Sequence, residues 1–194
     1  MTISLLTGLV LFCFVSSITP GPNNLMLMAT GANFGARRAA PHASGIVLGF
    51  TFMIIAIGLG VAQLFQSYPL SHQLLGGISV VYLIYLAYKT AAASTKLDSP
   101  KATGKPITFW QAAAFQWVNP KAWTMALTAL TVYAPSQNFL SVLLVAVVFG
   151  GINLPCVSLW TLLGQQLQRL LTSRRRLVVF NVSMAVLLVV SLYP

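Results

Sequence analysis

The sequence predicts an all-α fold: a polytopic membrane protein of about six transmembrane helices, arranged as two inverted repeats of three. Three observations predict it. Charge is scarce: 57% of the 194 residues are hydrophobic and only 6% are charged, against about 25% charged in a soluble domain. The basic residues gather in alternate connections between apolar runs. Two long apolar runs are each broken near the middle by a polar, proline-containing box, at Pro20 and Pro120.

A span needs about 20 mostly apolar residues, and the runs can be taken in order. The first 36 residues carry no charge, and span 1 covers roughly Ile3 to Thr30, interrupted by Thr19-Pro20-Gly21-Pro22-Asn23-Asn24. A short loop with Gly35, Arg37, Arg38, Pro41 and His42 leads to span 2, about Ala43 to Phe65, rich in Gly45, Gly49, Gly58 and Gly60. The stretch Gln66 to Gln73 is polar, with Pro69 as a breaker. Span 3 is about Leu74 to Tyr88. A longer connection follows, with Lys89, Lys96, Asp98, Lys101 and Lys105. Span 4, about Ile107 to Tyr133, is interrupted by Asn119-Pro120-Lys121. The short loop Ala134 to Asn138 precedes span 5, about Phe139 to Leu163, which holds Gly150, Gly151, Asn153 and Pro155. Arg169 and Arg174 to Arg176 precede span 6, about Leu177 to Tyr193.

The formal charge of +10 comes from 11 Lys plus Arg against a single acid, Asp98. Basic side chains lie between spans 1 and 2, 3 and 4, and 5 and 6, and are missing from the other two connections and from both ends. Lys and Arg favour the cytoplasmic side, so both termini are expected outside a cytoplasmic (inner) membrane. The same rule accounts for the charge without a nucleic-acid partner. Cys13 and Cys156 sit in apolar runs without ligand spacing, which argues for packing and against a disulfide or a metal site. The apolar start lacks the basic segment of a secretory signal and is read as a span.

The chain reads as a single transmembrane domain over 1–194, with repeat one about 1–95 and repeat two about 106–194. Spans 1 and 4 share a broken layout, and spans 2 and 5 are both glycine-rich. Chance similarity among apolar segments is the competing account; the placing of the breaks favours the repeat. An odd number of spans per unit makes the second unit enter from the opposite side, and such inverted repeats carry a substrate site at their discontinuous helices near the midplane.

Proline removes a backbone donor and clashes with the preceding turn. Freed backbone groups cost several kcal/mol in lipid, so each break must face the protein interior. Proline suits the first position of a helix, and Asn is a good N-cap. Asn119-Pro120 therefore reads as the start of a second half-helix, as does Thr19-Pro20 or Gly21-Pro22. Two half-helix N-termini at the midplane present N–H groups and partial positive charge to a small anionic group such as an amino-acid carboxylate. Asn23 and Asn24 add donors and acceptors. A structural kink is the bland reading of either box alone; the pair argues for function. Lys121 lies within a span, where charge is costly and usually functional, although snorkelling to an interface would also hold it. The candidate substrate-binding residues are therefore Pro20, Gly21, Pro22, Asn23, Asn24, Gln116, Asn119, Pro120 and Lys121, with Asn153 as the polar candidate of span 5. His42 and His72 fall at loop–span junctions and read as solvated or interfacial. Trp110 reads as an interface anchor, while Trp117 and Trp123 flank the break beside the expected site.

The run Thr19-Pro-Gly-Pro-Asn-Asn24, followed by Gly31, Gly35 and Arg37, and the later Gln116-Trp-Val-Asn-Pro-Lys121, resembles the LysE/RhtB family of amino-acid exporters over essentially the whole chain. The double Asn after Pro-Gly-Pro looks most like the branch exporting cysteine and O-acetylserine. The resemblance implies outward secondary transport of small neutral amino acids or derivatives, cysteine, O-acetylserine or homoserine- and threonine-like, driven by the proton-motive force. It also implies that the two proline boxes form the core of the pathway. Some members carry Asp in the fifth span where this chain has Asn153, a departure that bears on proton coupling and on substrate class. No cofactor is expected: no Gly-rich nucleotide loop, no Gly-x-Ser-x-Gly elbow and no metal cluster occurs, and no acid lies inside a span, which argues against an enzyme. A passive channel or a structural subunit of a membrane complex is the alternative. The oligomeric state is not readable from the sequence.

Overall fold

A computed structural model describes residues 2–61, 69–93, 105–134 and 138–191, with side chains except at positions 69–73 and 75. Seven α-helices and no strand occur among the described residues: α1 (Ile3–Ile18), α2 (Pro22–Ala56), α3 (Pro69–Ala92), α4 (Phe109–Val118), α5 (Pro120–Tyr133), α6 (Phe139–Gln168) and α7 (Arg174–Val190). The segment Ile57–Val61 continues α2 as a π-helical turn. Lys96, Asp98 and Lys101 of the longest connection, residues 66–68 of the polar stretch, and Tyr193 lie outside the described residues, as does the side chain of His72.

Both expected breaks are present. α1 ends at Ile18 and α2 starts at Pro22; α4 ends at Val118 and α5 starts at Pro120. Span 1 is therefore α1 plus the first arm of α2. The loop expected around residues 35–42 is helical instead, except at one residue. Gly35 has φ 76° and ψ 162°, a conformation glycine adopts without a Cβ penalty. The chain folds back there: Thr30 Oγ1 and His42 Nδ1 lie 3.0 Å apart, whereas twelve residues along a straight helix would separate them by about 18 Å. α2 is thus two arms, 22–34 and 36–56. His42, expected at a solvated junction, is 0% exposed between them. Pro69 is the first residue of α3, where its missing N–H is harmless.

The arms of α2 pack most extensively against α6. Glycine makes this possible at Gly31 and Gly164. A Cβ on Gly31 would stand 2.2 Å from the Thr161 carbonyl oxygen, and one on Gly164 would stand 2.0 Å from that of Met28. The two backbones touch, as small residues permit between apolar helices. α3 and α7 pack on each other at the periphery. Two buried clusters fill the interior. One centres on Phe50, Phe149 and Ala126. The other holds Met26, Leu86, Phe115 and Leu188. The outer surface is also apolar: Leu11, Leu48, Phe52, Leu140, Val147 and Val179 are all exposed. Two helical stretches, Pro22–Val61 and Phe139–Gln168, are long and apolar enough to cross a membrane among the described residues.

Candidate functional site

The two breaks meet, and a polar cavity lies between them. It is lined by Ser16, Ser17, Gly21, Pro22, Asn23, Asn24, Gln116, Asn119, Lys121 and Asn153, with Phe50, Ala122, Met125 and Val157 as its apolar part. Eight of the ten sequence candidates therefore share one cavity. Pro20 and Pro120 are exposed and do not line it; they shape the backbone that does.

The first break exposes the carbonyl end of α1, and each of those carbonyls is bonded. Val15 O accepts from Thr19 N–H at 3.2 Å, and also from the Thr19 hydroxyl. Ser16 O accepts from that hydroxyl at 3.3 Å. Ser17 O and Thr19 O accept from Asn24 Nδ2 at 2.8 and 2.9 Å. Ile18 O accepts from the indole of Trp160 at 3.1 Å. Lys121 Nζ donates to Thr19 O at 2.9 Å and Pro20 O at 3.3 Å. The orphan carbonyls of a helix end are thus satisfied without water.

Lys121 sits at the start of α5, where the helix dipole disfavours a cation. Its side chain instead crosses the gap to the negative end of α1. The crossing passes close over Gly21: a Cβ there would stand 2.9 Å from Lys121 Cδ, and the lysine stem would have to shift. The backbone at Gly21 is extended (φ −175°), so space for the lysine stem, not an unusual dihedral, calls for glycine.

The second break is a single residue. Asn119 Oδ1 accepts from Lys121 N–H at 3.1 Å, a side-chain N-cap. Trp123 donates its indole N–H to Trp117 O at 2.8 Å, and the two rings lie 6.3 Å apart. Neither tryptophan lines the cavity. Trp110 is 78% exposed, as an interface anchor would be.

An amide pair ties the breaks together. Asn23 Nδ2 donates to Gln116 Oε1 at 2.9 Å, and Gln116 Nε2 donates to Asn23 Oδ1 at 3.1 Å. What remains for a ligand is a short set. Asn153 is buried and makes no hydrogen bond among the described residues, and Asn119 Nδ2 is likewise uncommitted. Ser17 Oγ is buried without a partner. Ser17 was not singled out by the sequence, because a serine in an apolar helix ordinarily bonds the carbonyl one turn back; Ser16 does so to Phe12 O, and Ser17 does not. The N-terminus of α2 adds backbone donors, since its cap, Gly21, has no side chain to occupy them. The cavity volume is only about 30 Å³, room for a water or two and too little for an amino acid.

A bundle that gathers buried amides and a half-buried ammonium group between its breaks and turns leucine and phenylalanine outward is suited to a polar solute within lipid. The class is a helical membrane translocator with discontinuous helices at its centre. The chain belongs to the LysE type translocator family, whose model matches residues 14–192. It is 33% identical over 192 residues to the cysteine/O-acetylserine efflux protein of Escherichia coli (strain K12), with 97% of this chain and 96% of the relative covered. The protein of the same description from Shigella sonnei (strain Ss046) gives the same figures, and that from Escherichia coli O139:H28 is 32% identical over the same shares. No solved structure matches.

Proposed function

We propose that this chain exports small neutral amino acids, cysteine and O-acetylserine first among them, across the cytoplasmic membrane, as a secondary carrier driven by the proton-motive force. The substrate class is that named for its relatives. The observation that carries the mechanism is the polar cavity between two broken helices. Its groups match a zwitterion: Lys121, once it leaves its carbonyls, the free N–H groups of α2 and Asn119 Nδ2 suit a carboxylate, while Asn153 and Ser17 offer oxygens to an ammonium or hydroxyl.

Six spans in two inverted units of three support alternating access around this site. The order of elements favours that arrangement, since a helix, a break, a half-helix and a long glycine-bearing helix recur in each half. Both termini lie outside the cell membrane in this reading. Opening the cavity to admit an amino acid requires the Asn23–Gln116 amide pair to part. It also requires Lys121 to leave the Thr19 and Pro20 carbonyls for the incoming carboxylate. The carbonyl perch holds the charge between cycles.

Counterflow in proteoliposomes tests the carrier. Vesicles loaded with unlabelled O-acetylserine should transiently accumulate external labelled O-acetylserine above equilibrium. A channel gives equilibration without overshoot, and a structural subunit gives nothing. A protonophore should abolish net uphill export while sparing counterflow. Reporter fusions after Pro194 should be active only in their periplasmic form.

A further inference from the structure

A second polar pocket lies at the basic end of the molecule, away from the breaks. It is lined by Thr30 and Asn33 of α2, Lys89 and Thr90 of α3, and Lys105 before α4. Lys89 is half-buried and tethered, donating to Gln111 Oε1 at 2.8 Å and Pro106 O at 3.3 Å. Lys105 is exposed and makes no hydrogen bond among the described residues. Asn33 is held by a reciprocal amide pair with Asn181 of α7, at 2.7 and 2.9 Å. Arg38 stacks over the Phe34 ring at 5.2 Å at the same end. No acidic side chain faces the pocket among the described residues, because the only acid of the chain is Asp98.

Helix register links this pocket to the central cavity. On the first arm of α2, Asn23 lines the cavity, Met26 follows one turn on, and Thr30 and Asn33 line the second pocket. Asn23 and Thr30 are seven residues apart, about 10 Å along the axis and on one face. α4 repeats the order in reverse: Ile107, just before it, lines the second pocket, Ala112 and Phe115 follow, and Gln116 lines the cavity. On α3, Leu86 lies one turn before Lys89 and Thr90. Met26, Leu86, Ala112 and Phe115 are all buried and belong to one cluster. Two chain segments thus place the same dry layer between the polar places, and Leu86 of α3 joins it.

We propose that the Lys89–Lys105 pocket is the entry vestibule on the cytoplasmic side, where the carboxylate of the amino acid is first held before the Met26–Phe115 layer opens toward the breaks. Two ammonium groups with no acid opposing them among the described residues attract anionic oxygens, and their field raises the local substrate concentration at the mouth. The pocket volume is about 20 Å³, room for about one water, so a carboxylate oxygen is held at its mouth and the rest of the substrate remains in water. The basic end faces the cytoplasm under the positive-inside rule, which is the side an exporter loads from. The inference rests on the export reading above.

The test is uptake of labelled O-acetylserine into inverted vesicles at low ionic strength. Lys105→Gln is the cleaner variant, because Lys89 also braces Gln111. It should raise KM about fivefold, the scale of one lost partly solvated charge contact, with the maximal rate within about twofold of wild type. Lys105→Arg should restore KM, and added salt should shrink the difference between wild type and Lys105→Gln. The same defect should persist in vesicles of phosphatidylcholine alone. A defect seen only with phosphatidylglycerol present would make the pocket a lipid-headgroup site and overturn the vestibule. Transport with unchanged KM in Lys105→Gln would remove the vestibule alone. Wild-type vesicles that take up neither O-acetylserine nor cysteine would remove the export reading and the vestibule with it.

Discussion

The two breaks look alike in sequence and differ in construction. The second is closed by its own residue: Asn119 ends α4, caps α5 and needs nothing else to do so. The first leaves three residues, Thr19 to Gly21, outside any helix, and borrows its hydrogen bonds from Asn24, Trp160 and Lys121. A break whose carbonyls are held by side chains from three other places can release them one at a time. A break that caps itself cannot. In the proposed carrier, the difference favours the first break as the moving part of the site and the second as its fixed frame. The two also share one device, an indole N–H on a helix-end carbonyl, Trp160 on Ile18 and Trp123 on Trp117.

The sharpest way to break this comparison is to fill Gly21. Gly21→Ala places a methyl against the Lys121 stem and should push the ammonium group off both carbonyls, reducing transport by an order of magnitude or more. In a Lys121→Met background the same substitution should add little, because a flexible stem with no charge to anchor can yield. Independent losses in the double variant would separate Gly21 from Lys121.

Next in size is Asn24→Ala. It leaves the Ser17 carbonyl at the first break without its donor, at a cost of about 1–3 kcal/mol when buried, while Thr19 O keeps Lys121 Nζ. The melting temperature in detergent should fall clearly, and Asn24→Asp should fall as far, since a carboxylate cannot donate. Asn119→Ala removes only a cap, about 1 kcal/mol, and Asn119→Ser should recover most of it. A larger loss at Asn119 than at Asn24 would invert the assignment of frame and moving part. Smallest is the indole pair: Trp160→Phe and Trp123→Phe each forfeit one hydrogen bond, about 1 kcal/mol, and thermal scans should show similar modest shifts. Transport should suffer more from Trp160→Phe, which touches the borrowed break.

Much of this was legible in the sequence for a physical reason. A polar box that carries proline inside an apolar run marks a break, as at Pro20, Pro22 and Pro120, whereas Pro41 and Pro155 stay within helices. The expectation that the surrounding polar residues converge followed from the cost of freed backbone groups in lipid. Other features left no local signal. The turn at Gly35 uses one residue, so Arg37, Pro41 and His42 stayed helical where a loop was expected, and His42 became buried. Gly31 and Gly164 look like any glycines of an apolar helix until the helices meet. α1 buries one stripe, Leu9, Cys13 and Ser17, but its sequence is apolar on every face, so hydrophobic periodicity could not tell which hydroxyl points into the cavity. The division of labour between the breaks was equally hidden, because it depends on where Asn24 and Trp160 reach across space.

The central claim is that the cavity between the breaks holds the substrate, and Asn153 tests it most directly. Its amide makes no hydrogen bond among the described residues and faces the cavity, so replacing it removes a ligand contact without breaking a structural one. The measurement is the affinity of purified Asn153→Leu for labelled O-acetylserine beside its melting temperature. The account predicts affinity at least about tenfold weaker, the scale of a lost hydrogen bond to a charged group, with the melting temperature held or raised. Wild-type affinity in a folded Asn153→Leu protein would contradict it and move the substrate out of this cavity.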